Sequence, residues 1–223
     1  MQPAAETILG GPVWSAGRGR LQVRFIGRTG ASLGEIVDAL PDGPGEVSWL
    51  RQVHSDAVLV AEAGCAGEGD ALTTERSDLG LAIATADCVP VVVGGRSGLA
   101  VIHAGWRGIA AGVVARAVET LPVRPLDAVA WIGPAIGPCC YEVGDDVAAQ
   151  VVAASSGGVL RAGPRRRAHL DLGAAVAAQL VALGVEHSER VEACTRCDDR
   201  WNSYRRDGAA AGRNWTLAWL SAA

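Results

Sequence analysis

The strongest indication of the fold lies in residues 79–93, Leu79-Gly-Leu-Ala-Ile-Ala-Thr-Ala-Asp-Cys-Val-Pro-Val-Val-Val93. The two apolar runs in this segment, 79–86 and 89–93, are short and rich in small or β-branched residues, which favours buried strands over a helix. Asp87 and Cys88 interrupt the apolar pattern between the two runs. Since breaks of this kind concentrate at functional sites, we predict that a site lies at this point of the chain.

Segments with the patterns of strands and helices alternate on both sides of residues 79–93. Their interleaving predicts the α/β class, in the form of an α+β layered sandwich. The chain has 223 residues, which fits one domain, and we predict a single domain over residues 1–223. The further predicted strands are 20–28, 47–53, 99–102, 128–132 and 215–220, and the predicted helices are 109–121, 145–154 and 172–183.

Composition and charge argue against several classes of protein. The net charge of -4 is unlike that of nucleic-acid-binding proteins, which usually present a strongly basic face. The basic run Arg165-Arg-Arg167 follows a Gly-Pro turn and is interpreted as a solvated loop. No apolar run approaches the roughly 18 residues that span a bilayer, and the N-terminus lacks a signal-peptide pattern. We therefore predict a cytoplasmic protein without membrane contacts, whose six cysteines are reduced.

Three residues at the ends or breaks of predicted strands form a candidate metal site: His54, Cys88 and His103. Two imidazoles and one thiolate are a suitable ligand set for tetrahedral zinc, and three protein ligands would leave a fourth position free, as in catalytic sites. The three residues are far apart in sequence, however, and do not form a short motif. On spacing alone, a buried cysteine and two hydrogen-bonded histidines are the simpler explanation.

Two features near the C-terminus allow more than one interpretation. Cys194-Thr-Arg-Cys197 has the spacing of half a zinc ribbon or of a redox pair, but the chain has no second pair of this kind. Because Cys139 and Cys140 are adjacent, we expect that they do not complete a metal site, and packing is the favoured explanation. The segment Ser203-Tyr-Arg-Arg-Asp207 is either a solvated turn or an anion-binding arginine pair.

Taken together, the ordered motifs of the chain are more specific than any one of them. They strongly resemble the laccase-domain family, also called the polyphenol oxidase or YfiH-type family, whose members are known as purine nucleoside phosphorylases. The resemblance extends from about residue 49 to the C-terminus, and more weakly from residue 25. The motifs are Arg51-Gln-Val-His54, Gly69-Asp-Ala-Leu-Thr-Thr74, Thr85-Ala-Asp-Cys-Val-Pro90, His103-Ala-Gly-Trp-Arg-Gly108, Ile132-Gly-Pro-Ala-Ile-Gly-Pro-Cys-Cys-Tyr-Glu-Val-Gly144 and Ser203-Tyr-Arg-Arg-Asp207.

The resemblance implies a fold, a cofactor and an activity. The implied fold is the YfiH type, which is similar to that of cytotoxic necrotizing factor. The implied cofactor is Zn²⁺, bound by His54, Cys88 and His103. The implied activity is phosphorolysis of adenosine, inosine and methylthioadenosine, with hydrolytic deamination of adenosine in the same site. The partners would thus be a small nucleoside and phosphate.

The resemblance also suggests roles for individual residues. Arg28, at the family's Phe-x-x-Arg-x-Gly position, and Arg107 are candidates for catalysis and for binding the phosphate anion, and Arg205 is a further candidate for substrate binding. Cys88 would be both ligand and catalytic residue. Gln52 and Asp87 are neighbours of ligands in sequence and would orient them.

One region departs from the family pattern. Residues 30–48 form a shorter loop region than the family usually has, and the Asn-Leu-Gly and Asn-Arg elements are absent from it. If this loop forms part of the nucleoside pocket, we expect its shortening to change the substrate range or the reaction rate.

Three different functions stay open on the sequence. A copper-dependent, laccase-like polyphenol oxidase would share a His2Cys ligand set with blue-copper sites, but the multicopper type needs about eight further histidines. The chain has four histidines in all. Cu²⁺ can nevertheless occupy such a site in vitro, because it binds more tightly than zinc. A hydrolase that edits peptidoglycan precursors is the second of these functions, and a non-catalytic metal-binding scaffold is the third.

Overall fold

The structure, a computed structural model, describes residues 6–155, 157–163 and 167–222, and in this part of the chain two large β-sheets pack face to face. Helices cover the outer faces of both sheets. The predicted mixture of strands and helices in layers is therefore confirmed. Residues 165 and 166 of the basic run lie outside the described residues.

The larger sheet is antiparallel except around one strand near its edge. That strand, Glu46–Arg51, runs parallel to both of its neighbours. The first and last parts of the chain meet in this sheet, where a C-terminal strand pairs with an N-terminal one. In spatial order, with strands numbered along the chain, the sheet consists of β1 (Glu6–Ile8), β2 (Gly11–Arg18), β3 (Leu21–Ile26), β16 (Asn214–Leu220), β8 (Leu79–Thr85), β4 (Glu46–Arg51) and β6 (Gly64–Glu68).

The second sheet contains both parallel and antiparallel strands. Antiparallel pairing joins its central strands, whereas its two edge strands pair in parallel. The second sheet consists of β15 (His187–Arg190), β11 (Val129–Ile132), β9 (Val89–Gly94), β10 (Leu99–Ala104), β7 (Ala71–Thr74) and β5 (Val58–Val60). A small third sheet is formed by strands that lie between β11 and β15 in sequence, namely β12 (Glu142–Val143), β14 (Ala168–Leu170) and β13 (Leu160–Ala162).

The helices are short, and within the described residues none has both the length and the apolar character required to cross a membrane. Most of them pack on the free face of the second sheet. The helices are α1 (Leu33–Asp38), α2 (Trp106–Ala111), α3 (Val113–Glu119), α4 (Asp145–Ala154), α5 (Leu172–Ala182) and α6 (Tyr204–Asp207), with single 3-10 turns at Pro125–Asp127, Gly157–Val159 and Gly208–Ala210.

Strand β9 shows why one part of the sequence is continuously apolar. Val91 and Val93 pack in the layer between the second sheet and the helices, whereas Val92 packs between the two sheets. Successive side chains of a strand point to opposite faces, so a strand buried on both faces needs apolar residues at every position. Ile36 of α1 packs on the face of the larger sheet that points away from the second sheet.

Strands β8 and β9 follow each other in sequence but belong to different sheets. The chain crosses between the sheets at residues 86–88, where Asp87 has a φ of 91°. A positive φ is unusual for a residue with a side chain and marks a position that its surroundings must stabilise. The predicted break in the apolar pattern is therefore the crossing point between the two sheets.

The predicted helix 109–121 is wrong in two respects. It begins earlier, at Trp106, and Gly112 divides it into α2 and α3. Gly112 has a φ of 91°, a left-handed conformation that glycine adopts at little cost and that ends a helix. Apolar and small residues flank this glycine on both sides, so the pattern of hydrophobicity does not reveal the break.

Two other boundaries differ from the predictions. The region 30–48, interpreted as a loop, contains α1, whose first turn is capped by reciprocal hydrogen bonds between Ser32 and Glu35. The strand predicted for 99–102 continues to Ala104. His103 therefore lies within a central strand rather than after its end, and its side chain is buried.

Candidate metal centre

The three predicted ligands meet where strands of both sheets approach each other. His54 follows β4, Cys88 lies in the crossing between β8 and β9, and His103 belongs to β10. Their ligand atoms all lie within 4.8 Å of one another, and Sγ of Cys88 is 3.9 Å from Nε2 of His54. The two imidazole rings meet edge to face with centroids 4.8 Å apart. We call these three residues the His-Cys-His group.

The fully buried carboxylate of Asp70, just before β7, contacts the segments that carry both histidines. Its Oδ1 lies 2.7 Å from Nδ1 of His103, which leaves Nε2 of that ring available to a metal ion. The same carboxylate accepts hydrogen bonds from the backbone N–H groups of Val53 (3.3 Å), His54 (3.0 Å) and Ser55 (2.5 Å). One buried side chain thus orients one imidazole directly and the other through its backbone.

His54 has an unusual backbone conformation, with a φ of 61°. Residues other than glycine rarely adopt this left-handed region, because the Cβ atom crowds the backbone. The hydrogen bonds from the backbone of residues 53–55 to Asp70 hold the chain in this shape. The direction of the His54 side chain therefore depends on Asp70.

The charges in the group favour a thiolate and a carboxylate. Burial raises the pKa of the Cys88 thiol, but hydrogen bonds and charges from His103 and His54 outweigh this effect and lower it to about 6. Burial likewise opposes ionisation of Asp70, but hydrogen bonds from His103 and Ser55 lower the pKa of that carboxyl to about 2. Cys88 is thus prepared to act as an anionic ligand, the form in which cysteine binds metals.

The donor set fits zinc. Two imidazole nitrogens and one thiolate are ligands that zinc accepts in tetrahedral sites, and a carboxylate behind a metal-binding histidine is a common supporting contact. All three residues of the group line one cavity, so the fourth position of a tetrahedral ion would face that cavity. An arrangement of this kind is typical of a catalytic rather than a structural site.

Gly105 makes the close approach of two ligands sterically feasible. A Cβ atom at this position would lie 3.0 Å from Cδ2 of His54 and 3.1 Å from Sγ of Cys88. The backbone of Gly105 has a φ of -74°, which any residue can adopt, so only the space is restricted. We expect Gly105→Ala to weaken zinc binding about tenfold, within the range known for changes around metal ligands. Competition with a chromophoric chelator measures the affinity.

The matched control for this change is Gly34→Ala. Gly34 lies in α1, and a Cβ atom there would meet no atom within 4 Å. Alanine also favours helices more than glycine does, so this variant should keep the zinc affinity and stability of the parent. Equal zinc affinity for the Gly105→Ala protein and the Gly34→Ala protein would contradict the steric role of Gly105.

A cavity of about 630 Å³ lies beside the His-Cys-His group and is lined by it. Three arginines, Arg107, Arg205 and Arg213, contribute to its walls. The guanidinium carbon of Arg107 lies 4.5 Å from the ring centroid of Trp106, and that of Arg205 lies 5.0 Å from the ring centroid of Tyr141. The cavity therefore combines positive charge with aromatic surface and is suited to an anionic group next to a flat ring.

Gln52 and Asp87 also line the cavity, as do the predicted Arg107 and Arg205. The side-chain amide of Gln52 donates to the carbonyl of Ala84 at 2.7 Å and accepts from its N–H at 2.8 Å. The carboxylate of Asp87 accepts hydrogen bonds from the Thr195 hydroxyl and from the backbone N–H of Arg205, both at 2.6 Å. These bonds hold the cavity walls together and do not reach the ligand atoms of the metal group.

Arg28 lies outside the lining of the cavity, and the role predicted for it in catalysis and phosphate binding stays a prediction. Its guanidinium pairs with the carboxylate of Asp207 at 3.0 Å. Asp207 belongs to α6, next to Arg205 and Arg206 in sequence. Arg28 therefore helps to fix the segment that carries Arg205, and it shares the carboxylate of Asp207 with Arg206.

Several residues of the site were not assigned roles from the sequence, among them Asp70, Tyr141 and Arg213. Asp70 lies in the motif Gly69-Asp-Ala-Leu-Thr-Thr74, and Tyr141 follows the adjacent cysteines, so both were visible as parts of motifs. A charged residue directly before a buried strand was the available signal for Asp70. Arg213 carried no signal, because it lies outside every one of the family motifs.

The two cysteines near the C-terminus lie close to the adjacent pair Cys139 and Cys140. Their Sγ atoms and those of the adjacent pair all lie within 4.8 Å of one another, a proximity that the sequence spacing did not predict. Adjacent cysteines in a tight turn can present both sulfur atoms to the same side, which spacing rules for longer motifs do not capture. This thiol cluster consists of Cys139, Cys140, Cys194 and Cys197.

Comparison with known proteins places these features in a family context. A family model described as multi-copper polyphenol oxidoreductase laccase matches residues 32–221. A protein of Xylella fastidiosa (strain 9a5c) named purine nucleoside phosphorylase is 39% identical over 191 residues, which are 79% of this chain and 73% of that protein. A Streptomyces coelicolor protein named purine nucleoside phosphorylase SCO2081 is 40% identical over 184 residues, 77% of this chain and 76% of its own.

Solved structures show the same architecture. The Neisseria meningitidis protein NMB0706 superimposes with a TM-score of 0.80 at 28% identity, covering 94% of this chain and 99% of that one. The YfiH protein of Bacillus licheniformis gives a TM-score of 0.80 at 25% identity, covering 90% and 93%. The YfiH-type fold implied by the sequence motifs is confirmed.

Proposed function

Because this chain belongs to the multi-copper polyphenol oxidoreductase laccase family, and similar proteins in it are named purine nucleoside phosphorylases, we propose that it is a metal-dependent purine nucleoside phosphorylase. The reaction would convert adenosine, inosine or methylthioadenosine and phosphate into the free base and the sugar 1-phosphate. The observation that carries the proposal is the cavity in which the His-Cys-His group, arginines and aromatic rings converge.

The arginines of the cavity suit the phosphate substrate. Phosphate must approach C1′ of the ribose while the bond from C1′ to the base breaks. Guanidinium groups bind phosphate oxygens with paired, charge-assisted hydrogen bonds, so Arg107, Arg205 and Arg213 would hold the anion in place. A zinc ion in the His-Cys-His group would supply Lewis acidity in the same cavity.

Tyr141 and Tyr204 suit the purine. Burial raises the pKa of Tyr141 to about 12, so its phenol keeps the proton at neutral pH and can donate a hydrogen bond to the base as negative charge develops there. Tyr204 lines the same cavity and is 59% exposed, which offers an aromatic face on which a purine ring can stack.

Deamination of adenosine is proposed as a second reaction of the same site. It requires water instead of phosphate at the reacting carbon, and His and Cys ligands around zinc also serve zinc deaminases. The donor set of the His-Cys-His group, with a fourth position facing the cavity, supports this reaction. The two reactions differ in their need for phosphate, which makes them separable in one assay.

The experiment incubates the purified zinc-loaded protein with adenosine, with and without phosphate, and separates the products chromatographically. Phosphorolysis predicts adenine and ribose 1-phosphate only when phosphate is present. Deamination predicts inosine without phosphate, and inosine together with hypoxanthine when phosphate is present, because inosine is also a proposed substrate of phosphorolysis. Absence of both products would contradict the proposal, and release of an amino acid from a muropeptide precursor would favour an editing hydrolase instead. Inactivity in every assay would favour a metal-binding scaffold.

Oxidation of phenols by copper is the competing function that the family's description raises. The remaining histidines give it little support, because His169 is buried with Nδ1 2.7 Å from the carbonyl of Pro138, and His187 is exposed in β15. Within residues 6–155, 157–163 and 167–222, neither belongs to a group of metal-binding side chains. Cu²⁺ in the His-Cys-His group would account for weak oxidase activity in vitro, since copper binds such ligands more tightly than zinc.

We expect Arg107→Ala to raise the KM for phosphate about 10- to 100-fold, because a charge-assisted hydrogen bond contributes about 1.5–3 kcal/mol. The zinc content should not change, since Arg107 lines the cavity without belonging to the His-Cys-His group. Arg124→Ala is the matched control, because Arg124 is an exposed arginine paired with Asp127 and does not line the cavity. An unchanged phosphate KM in the Arg107→Ala protein would exclude this residue from anion binding.

A further inference from the structure

We propose that the thiol cluster binds a second zinc ion, in a structural site separate from the His-Cys-His group. The two groups share no residue, and the thiol cluster is not among the residues that line the cavity. The inference does not depend on the reaction that the cavity performs.

The distances between the sulfur atoms match a tetrahedral metal site. For a Zn–S bond of about 2.3 Å, neighbouring sulfurs of a regular tetrahedron lie about 3.8 Å apart. Sγ of Cys197 is 3.7 Å from that of Cys139 and 3.3 Å from that of Cys140, and all four sulfur atoms lie within 4.8 Å of one another. One central ion can therefore contact every sulfur atom without a rearrangement of the backbone.

A turn, a backbone N–H bond to sulfur and a glycine allow these sulfur atoms to lie close together. Cys194 carries a turn in which the N–H groups of Cys197 and Asp198 both donate to its carbonyl at 3.0 Å. The N–H of Gly137 donates to Sγ of Cys194 at 3.2 Å, and a Cβ atom on Gly137 would lie 3.3 Å from Sγ of Cys139. Backbone N–H bonds to sulfur stabilise the thiolate form that binds metals.

Four cysteine ligands restrict the choice of metal and indicate a structural role for the site. A tetrahedral set of four thiolates is typical of zinc or of iron, and zinc sites with four protein ligands are structural because no position remains for water or substrate. On binding, zinc would displace the protons of those thiols that are not yet ionised, and these protons pass to the solvent. The guanidinium of Arg196 beside Cys140 offsets part of the negative charge of the resulting complex.

The position of the cluster explains what a second ion would stabilise. It joins the segment after β11 to the turn after β15, two parts of the chain that otherwise share the bridge between Ala135 and Cys194. Tyr141, which lines the cavity, directly follows Cys140, and Thr195, which donates to Asp87, directly follows Cys194. A structural zinc would therefore fix one wall of the cavity from outside.

The test counts metal ions per chain in the 223-residue protein, kept reduced, loaded with zinc and freed of excess metal. Elemental analysis should give two zinc ions for the unaltered chain and one each for Cys197→Ser and His103→Ala, because each variant damages a different group. Cys65→Ser should keep two, since Cys65 is exposed and belongs to neither group. One zinc in the unaltered chain, with none lost on Cys197→Ser, would overturn the proposal.

A second measurement uses the unaltered chain and does not depend on how the variants fold. Cys139 and Cys197 are exposed, so an alkylating reagent can reach both without a ligand, and the rate for each is measured in the zinc-free protein. Zinc should protect both from alkylation, and a chelator should restore their reactivity, while Cys65 reacts in either state. Alkylation of Cys139 and Cys197 at the same rate with and without zinc would overturn the proposal.

Discussion

His103→Ala is expected to remove the metal ion from the His-Cys-His group and to slow phosphorolysis on the order of 10³-fold, because the Lewis acidity of a bound ion contributes several kcal/mol to such reactions. Only two ligands, His54 and Cys88, would remain, and the thiolate of Cys88 would also lose the positive partner that lowers its pKa. Zinc content by elemental analysis and the rate of adenine formation measure the two effects. Cys88→Ala should give the same result.

The fold should largely survive this change. His103 is buried, but Asp70, which would lose its contact with the imidazole, keeps its hydrogen bonds to the backbone of Val53, His54 and Ser55 and to the Ser55 hydroxyl. The carboxylate is therefore not left without partners, which is the circumstance that makes such substitutions most damaging. A far-UV circular dichroism spectrum like that of the unaltered chain checks this expectation.

His187→Ala is the control for His103→Ala. His187 is an exposed histidine of β15 and belongs to neither group of metal-binding side chains. Its replacement should leave both the rate and the zinc content of the His-Cys-His group unchanged. Retention of this zinc by the His103→Ala protein, with activity near that of the control, would contradict the assignment of the group as the active metal site.

The sequence was most informative where polar residues interrupt an apolar pattern. The polar pair Asp87-Cys88 between two apolar runs marked the crossing between the sheets, and the motifs around the histidines identified the ligands. Periodicity could predict these strands because they are buried on one or both faces. What periodicity could not give is which sheet a strand joins, since β8 and β9 have the same apolar character and pair with different partners.

Other features of the structure depend on contacts across the fold that the sequence does not reveal. Arg28 pairs with Asp207, 179 positions away, and no local pattern indicates that pair. The thiol cluster likewise combines cysteines separated by more than fifty positions, and its geometry depends on how two turns meet. Gly112 shows a different limit, because a left-handed glycine between two helical stretches leaves the hydrophobic pattern intact.

Asp70→Asn is expected to weaken zinc binding by at least about 100-fold, the upper end of the effect of a residue that supports metal ligands. The reason is that one carboxylate supports two ligands. Oδ1 accepts from His103 and from the backbone of His54, while Oδ2 accepts from the backbone of Val53 and Ser55. In either orientation an amide NH2 group would face donors and lose hydrogen bonds that the carboxylate makes.

Each orientation of the amide damages the site. With NH2 in the place of Oδ1, His103 loses the partner that directs Nε2 to the metal, and the backbone of His54 loses the bond that stabilises its φ of 61°. With NH2 in the place of Oδ2, the N–H groups of Val53 and Ser55, on either side of His54, lose their acceptor. Competition with a chelator gives the zinc affinity. The rise in melting temperature on adding zinc gives a second measure, because a ligand stabilises the folded state in proportion to the logarithm of its concentration over Kd.

Asp171→Asn separates this effect from a general loss of stability. Asp171 is also buried, accepts from the N–H of Ala174 at the start of α5 and pairs with Arg190 at 2.7 Å, but it contacts no member of the His-Cys-His group. The two variants should therefore both lower the melting temperature without zinc, whereas only Asp70→Asn should reduce the additional rise that zinc produces. If the zinc-induced rise were the same for both variants, Asp70 would be a structural residue of the loop and not a support of the metal ligands.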